Sequence, residues 1–255
     1  NSPADIFFAQ DAGALGAVAK AGLLTKLPDE ILGLVSPQYS AADGSWVGVS
    51  GRVRVLVYNP DNVDNVPSSV FELAEPEWQG RIGIAPTNAS FQAFVTAMRV
   101  IHGEDKTLEW LRAMKTNGVI YEKNSAILEA VENKSVDAGL INHYYWFAMG
   151  REIGFENLTS RLGQFQARDV GNLINAAGVG IVSDSNAARS FVEYLLSRTG
   201  QQYFVDETSE YPLISGIEAG VDLTPLDQIP APDIDLSDLN SLEETLKLIR
   251  EAGLI

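Results

Sequence analysis

Apolar runs of differing period divide this chain into short strands and helices. Asp5-Ile6-Phe7-Phe8 reads as a short strand, and residues 12–21 place small and apolar side chains at helical spacing until Gly22, a residue suited to a C-terminal cap. Trp46-Val47-Gly48-Val49 and Val53-Arg54-Val55-Leu56-Val57-Tyr58 read as two strands, the second closed by the turn Asn59-Pro60-Asp61. A strand is expected at 81–85, and Pro86-Thr87-Asn88 leads into a helix near 90–101, with another near 106–116. Gly118-Val119-Ile120-Tyr121 predicts a strand, and Asn124-Ser125 opens a helix at 126–133. Strands at 136–141 and 175–182 follow, with a helix at 146–152 between them. Ala188, Phe191, Val192 and Leu195 make one apolar helical stripe, and Leu242, Leu246 and Ile249 make another after the loop-rich stretch 211–236. Strands alternating with helices predict an α/β protein with largely parallel sheets. The segments 46–58 and 170–181 look like crossings between two α/β lobes. The expected division is 1–52 with 175–222, and 53–174 with 223–255.

The strand 136–141 runs into Asn142-His143-Tyr144-Tyr145-Trp146. A strand end turning into a helix is where open α/β sheets hold ligands. Phenol oxygen, once deprotonated, suits a hard cation. Tyrosine titrates near pH ~10 in water, so a phenolate at neutral pH needs a strongly polarising partner such as a bound metal. The two rings equally suit the role of large core fillers with a polar handle.

Charge and composition narrow the classes. The chain carries 18 basic and 34 acidic side chains, a formal net charge of -16. That opposes a phosphate-backbone partner, so no nucleic acid is expected. Cysteine is absent, which removes disulfides, thiolate metal sites and cysteine nucleophiles. With His102 and His143 as the only histidines, a histidine-rich zinc site is not expected. There is no Gly-x-Ser-x-Gly elbow, P-loop or His-Glu-x-x-His, and Gly178-Val179-Gly180 is too short for a dinucleotide fingerprint. Glu129 and Glu132, at i and i+3, read as solvated helix charges. An enzyme is not expected.

Taken in order, Pro3-Ala4-Asp5-Ile6-Phe7-Phe8, Ala21-Gly22-Leu23-Leu24, the run Ser50-Gly51-Arg52-Val53-Arg54 through Asn59, Trp78-Gln79-Gly80-Arg81-Ile82-Gly83, Pro86-Thr87-Asn88-Ala89-Ser90-Phe91, Lys123-Asn124-Ser125, Asn142-His143-Tyr144-Tyr145-Trp146 and Glu210-Tyr211-Pro212-Leu213 form one pattern. It resembles the periplasmic ferric-iron-binding proteins, the substrate-binding components of ABC iron importers. The resemblance implies the two-lobed type II periplasmic binding protein fold, α/β with mixed, mostly parallel sheets, a hinge and a central cleft. It implies capture of Fe(III) with a synergistic anion, phosphate or carbonate, and delivery to the transmembrane subunits of an ABC permease. A monomer outside the cytoplasm, periplasmic or extracellular, is expected.

By the same resemblance, Tyr144 and Tyr145 both coordinate the metal. The anion is held by the turn Asn88-Ala89-Ser90 with Asn124 and Asn142, and Arg52 matches the family arginine near it. Arg54 shares the face of Arg52 along the strand and is the competing choice. Asn88 and Asn124 lie at predicted helix N-termini, where backbone N–H groups and the dipole favour an anion, but plain N-capping uses the same residues. Where relatives place a carboxylate ligand this chain has Gln10, followed by Asp11. Gln10 through its carbonyl oxygen, Asp11, or water fills that position, and Asp11 reads equally as a helix N-cap. Phe91 stands where some relatives carry a third tyrosine, so a three-tyrosine site is not expected. The chain begins where the family has its second strand. A strand–helix piece of the order of the ~30-residue βαβ unit is expected upstream of Asn1, with the histidine or tyrosine ligand of some relatives and any signal or membrane anchor. The alternative is a binder of a polyamine, thiamine or phosphorylated compound on the same fold, with the tyrosines stacked on the ligand.

Overall fold

The computed structural model describes residues 3–183, 185–220 and 222–255. In chain order the elements are β1 (Ile6–Ala9), α1 (Ala12–Lys20), α2 (Asp29–Leu32), β2 (Val47–Tyr58), β3 (Ile82–Ile84), α3 (Ala89–His102), α4 (Glu104–Asn117), β4 (Gly118–Ile120), α5 (Asn124–Glu132), β5 (Ala138–Asn142), α6 (His143–Ile153), β6 (Arg161–Gly163), β7 (Ile174–Ile181), α7 (Asn186–Leu195), α8 (Arg198–Tyr203) and α9 (Leu242–Glu251). The chain forms two compact units, one of Asn1–Arg52, Asn175–Ile229 and Ile234–Leu242, the other of Val53–Ile174, Pro230–Asp233 and Glu243–Ile255. No helix among the described residues is long and apolar enough to cross a membrane.

In the first unit β1 pairs antiparallel with β7, Phe7 facing Gly180. Gly178 lets α1 lie close to β7, since a Cβ there would sit 2.7 Å from a methyl of the fully buried Leu15. The third boundary differs from the sequence expectation, which gave everything after 222 to the other lobe. Residues 234–242 pack on α1 through its two glycines, a Cβ on Gly13 falling 2.9 Å from Leu239 O and one on Gly16 2.7 Å from Asn240 Cβ. The hydroxyl of buried Tyr211 donates to Thr224 O at 2.9 Å, holding the 223–229 stretch to the same unit. The small residues of α1 show only helical spacing in the sequence, and their use as a backbone docking groove depends on residues more than two hundred positions away.

The two strands expected at 46–49 and 53–58 are one, β2, with every residue but Tyr58 buried. The polar break at Ser50-Gly51-Arg52 is absorbed by tertiary partners. Gly51 exchanges both backbone hydrogen bonds with Tyr211, at 2.8 and 2.9 Å. Buried Ser50 and Arg52 both donate to the carboxylate of Glu210. Polar positions that look like a turn from sequence are therefore satisfied inside a sheet.

The second unit holds a mixed sheet in the order β6-β2-β5-β3-β4. The pairs β3–β4 and β3–β5 are parallel, with Ile82 beside Gly118 and Ala138. The pairs β2–β5 and β2–β6 are antiparallel. Its core includes the fully buried rings of Phe91, Phe94 and Trp110, and the Trp110 indole donates to Val70 O at 3.0 Å. Helix α9 is tied to α3 by a buried hydroxyl pair, Thr96–Thr245, at 2.8 Å. Gly83 and Gly139 let α5 lie directly on β3 and β5, for Cβ atoms there would fall 2.9 and 2.1 Å from Ile127 Cγ2.

Candidate anion and metal site

The three parallel strands β3, β4 and β5 end at one edge of their sheet, and each hands the chain to a helix there. These helices are α3, α5 and α6; Asn88 and Asn142 stand at the N-cap positions of α3 and α6, and Asn124 is the first residue of α5. Three helix N-termini on one sheet edge collect first-turn backbone N–H groups and three positive dipole ends. Parallel pairing causes this convergence, because it points the carboxyl ends of all three strands the same way.

Asn88 caps α3 as expected, its side-chain oxygen accepting from Ser90 N at 3.0 Å and from the Ser90 hydroxyl at 2.6 Å. Fully buried Asn124 reaches across from α5, its Nδ2 donating to Ser90 Oγ at 3.1 Å. Asn124 is itself the first helical residue, with Lys123 at the cap, so it does not cap its own helix. Asn142 occupies the N-cap position of α6 without making a side-chain cap bond. It is 3% exposed, and its Nδ2 has no partner among the described residues. A buried amide donor left unsatisfied costs about 1–3 kcal/mol, and an anion oxygen is the acceptor such a group fits. Ala89 is exposed at the turn.

Of the two arginines on one face of β2, the structure brings Arg54 to this turn. Its Nη1 donates to Ser90 Oγ at 3.2 Å and its Nη2 to Leu140 O at 3.0 Å, with the guanidinium lying over Phe91 and Phe94. Arg52, the residue matched to the family arginine, is held in a buried pair with Glu210 at 3.3 Å. The sequence could place both on one face but not name the partner, 158 positions on, that takes one of them. Because removing one partner of a buried pair leaves an uncompensated charge, Arg52→Met is expected to destabilise the protein by about 3–5 kcal/mol. Denaturant unfolding measures this, and a loss below ~1 kcal/mol would be the value of an exposed pair instead.

The other candidates fall as follows. Tyr144 and Tyr145 sit half-buried in the first turn of α6, three residues earlier than the expected helix start, their ring centroids 4.5 Å apart. Phe91 is fully buried in the aromatic core and offers no ligand. In the first unit Gln10 is exposed, and Asp11 is 7% exposed and accepts from Asn175 Nδ2 at 2.8 Å. Asp11 stands at the N-cap position of α1, but Asn175 supplies the cap, accepting from Ala12 N at 3.3 Å. Among the described residues no three His, Cys, Asp or Glu side chains gather into a metal-binding group.

Glu132 is not the solvated helix charge the sequence suggested. It accepts from Thr159 N and Oγ1, both at 2.8 Å, and from Ser160 N at 3.1 Å and the Ser160 hydroxyl, which in turn accepts from Trp146 Nε1 at 3.0 Å. Through this brace the tyrosine-bearing helix is fastened to α5. Partial burial pushes the Glu132 pKa up, but the hydrogen bonds from Ser160 and Thr159 outweigh it and hold the carboxyl below its usual value. A lowered folded pKa gives stability that is present above the unfolded value and lost as pH falls through the folded one. Glu132→Gln is thus expected to cost about 2 kcal/mol at neutral pH, with the gap to the parent closing below the ordinary carboxylate range. Melting curves across pH check this, and a gap independent of pH would contradict it.

His143, Glu210 and Leu140 O went unassigned in the sequence. Glu210 was visible only as part of a motif, and a backbone carbonyl carries no sequence signal at all.

Residues 1–241 match the model of a family described as bacterial extracellular solute-binding proteins. The chain is 36% identical over 260 residues to an Fe(3+)-binding periplasmic protein of Serratia marcescens, covering 100% of this chain and 77% of that one. It is 37% identical over 262 residues to the major ferric iron-binding protein of Neisseria meningitidis serogroup A, covering 99% and 78%. Among solved structures, iron-bound HitA from Pseudomonas aeruginosa superposes with a TM-score of 0.93 at 37% identity, covering 99% of this chain and 83% of that one. The Trichodesmium protein IdiA (FutA), in complex with iron and citrate, gives 0.88 at 27% identity, covering 99% and 84%.

Proposed function

This chain belongs to the bacterial extracellular solute-binding proteins, and on that premise we propose that it captures Fe(III) together with a synergistic anion, phosphate or carbonate. It works as a monomer outside the cytoplasmic membrane and passes the ion to the transmembrane subunits of an ABC permease. The relatives named for ferric iron support the cargo. One observation carries the anion: Arg54 and Asn124 both donate to Ser90 Oγ, and Asn142, the register partner of Arg54, has a buried Nδ2 without a partner among the described residues, at a sheet edge where three helices begin.

The chemistry follows from the donor set. Fe(III) is a hard cation and selects oxygen ligands, and the adjacent phenols of Tyr144 and Tyr145 supply them. Its charge lowers the pKa of a bound phenol, so each tyrosine gives up its proton on binding. Two phenolates and a doubly charged anion exceed the charge of the ion by one, and the Arg54 guanidinium offsets that excess. The helix N-termini orient N–H groups at the anion without adding a titratable group. The anion fills metal positions that side chains leave open.

Titrating the purified protein with Fe(III)-citrate, with and without phosphate, tests the reading. A visible phenolate-to-iron band that grows to one ion per chain supports it. A colourless protein that instead gains thermal stability from a polyamine, thiamine or a phosphorylated compound would replace it.

A further inference from the structure

The β2–β5 ladder pairs Leu56 with Leu140, Val55 with Ile141 and Arg54 with Asn142. Each step back along β2 is a step forward along β5, so the next pair is Val53 with residue 143. Residue 143, however, is the first of helix α6, and its carbonyl has turned away into the helix. The ladder acceptor that Val53 N–H would meet is therefore gone. In its place stands a side chain: His143 Nδ1 accepts from Val53 N at 3.1 Å. Both residues are buried, 1% and 2% exposed, so no solvent replaces the bond. An accepting Nδ1 carries no proton, which leaves the ring's proton on Nε2.

Building on the assignment of Tyr144 and Tyr145 as metal ligands, we propose that His143 is a positioning residue whose imidazole extends the β2–β5 ladder by one rung and so fixes the turn presenting both tyrosines. The ring stands edge-on to Tyr144 with centroids 5.8 Å apart, and meets Phe147 one helical turn on at 6.2 Å. It thus ties the strand, the first tyrosine and the helix body together at the point where β5 becomes α6. With its Nδ1 lone pair committed to Val53, His143 acts on the metal through the tyrosines and does not ligate through that atom.

Three variants separate the acceptor from the ring. His143→Asn places a carbonyl oxygen near the position of Nδ1 and is expected to keep the parent's Fe(III) affinity and visible band. His143→Leu removes the acceptor, and His143→Gln moves it one bond too far. Both are expected to weaken Fe(III) binding by ~10–100-fold, the range for groups that orient metal ligands, and to shift the tyrosinate–iron band. Hydrogen exchange at Val53 N–H in the iron-free protein reads the rung itself. It should be slow in the parent and His143→Asn, and faster by about tenfold or more where the acceptor is lost. Equal affinity and exchange in all variants would overturn the proposal. So would an Asn variant as weak as the Leu one, which would make the imidazole itself essential. A parent that shows no iron band overturns the function proposed above. Val53 exchange then judges the rung alone: protection kept in His143→Asn and lost in His143→Leu upholds it, and uniform exchange removes it.

Discussion

Tyr144→Phe and Tyr145→Phe are each expected to lower Fe(III) affinity by more than ~100-fold, since changes to groups merely orienting metal ligands already cost ~10–100-fold. Folding stability should shift by no more than ~1 kcal/mol, the worth of one ordinary hydrogen bond. The reason for the contrast is geometric. The rings are half-buried and tilted against each other with centroids 4.5 Å apart, a contact that phenylalanine keeps. Only the oxygen is lost, and on the proposed assignment that oxygen is the atom the metal binds. Metal analysis and visible spectroscopy on the two single variants decide the matter. Retention of the parent's iron content and colour in both would remove the tyrosines from the site.

The second large effect concerns the anion. Arg54→Met keeps an apolar stem over Phe91 and Phe94 but deletes both guanidinium donors, and phosphate should then no longer strengthen iron binding. Affinity measured with phosphate should fall by ~10–100-fold, while affinity measured without it changes far less. Coupling between two ligands is reciprocal, so Fe(III) should also lose its power to tighten phosphate binding by the same factor. Arg54→Lys keeps the charge yet cannot reach Ser90 Oγ and Leu140 O together, and should lie between. If phosphate enhancement survives Arg54→Met and disappears with a substitution at Arg52, the arginine assignment must be exchanged.

The α/β alternation, the strand leading into Tyr144 and the turn at Asn88–Ser90 were all legible in the sequence, because each rests on a local period or a local preference. The positions whose role the sequence leaves open or mistakes share one cause. Arg52 matches the family arginine, with Arg54 competing, until Glu210 takes the first. Ser50-Gly51-Arg52 looks like a break until Glu210 and Tyr211 satisfy it. Glu132 looks solvated until Thr159 and Ser160 fold over it. Asp11 looks like a cap until Asn175 takes over the task. In every case a polar residue's meaning depends on a partner far along the chain, which no window of neighbouring residues contains. His143 differs. Once the β2–β5 register is known, its place opposite Val53 follows by counting.

Gly83 and Gly139 give the site a hidden set of tolerances. Helix α5 touches the sheet through Ile127, less than one turn from Asn124, and it touches where two strands present hydrogen in place of a side chain. A single methyl at 139 would drive the helix outward by a sizeable fraction of a hydrogen-bond length, and Asn124 would travel with it. The aim of an amide proposed to face the anion is therefore machined at the far side of its helix, by residues outside the proposed site. Any inventory of what adapts such a protein to its cargo has to include positions whose contribution is the absence of atoms.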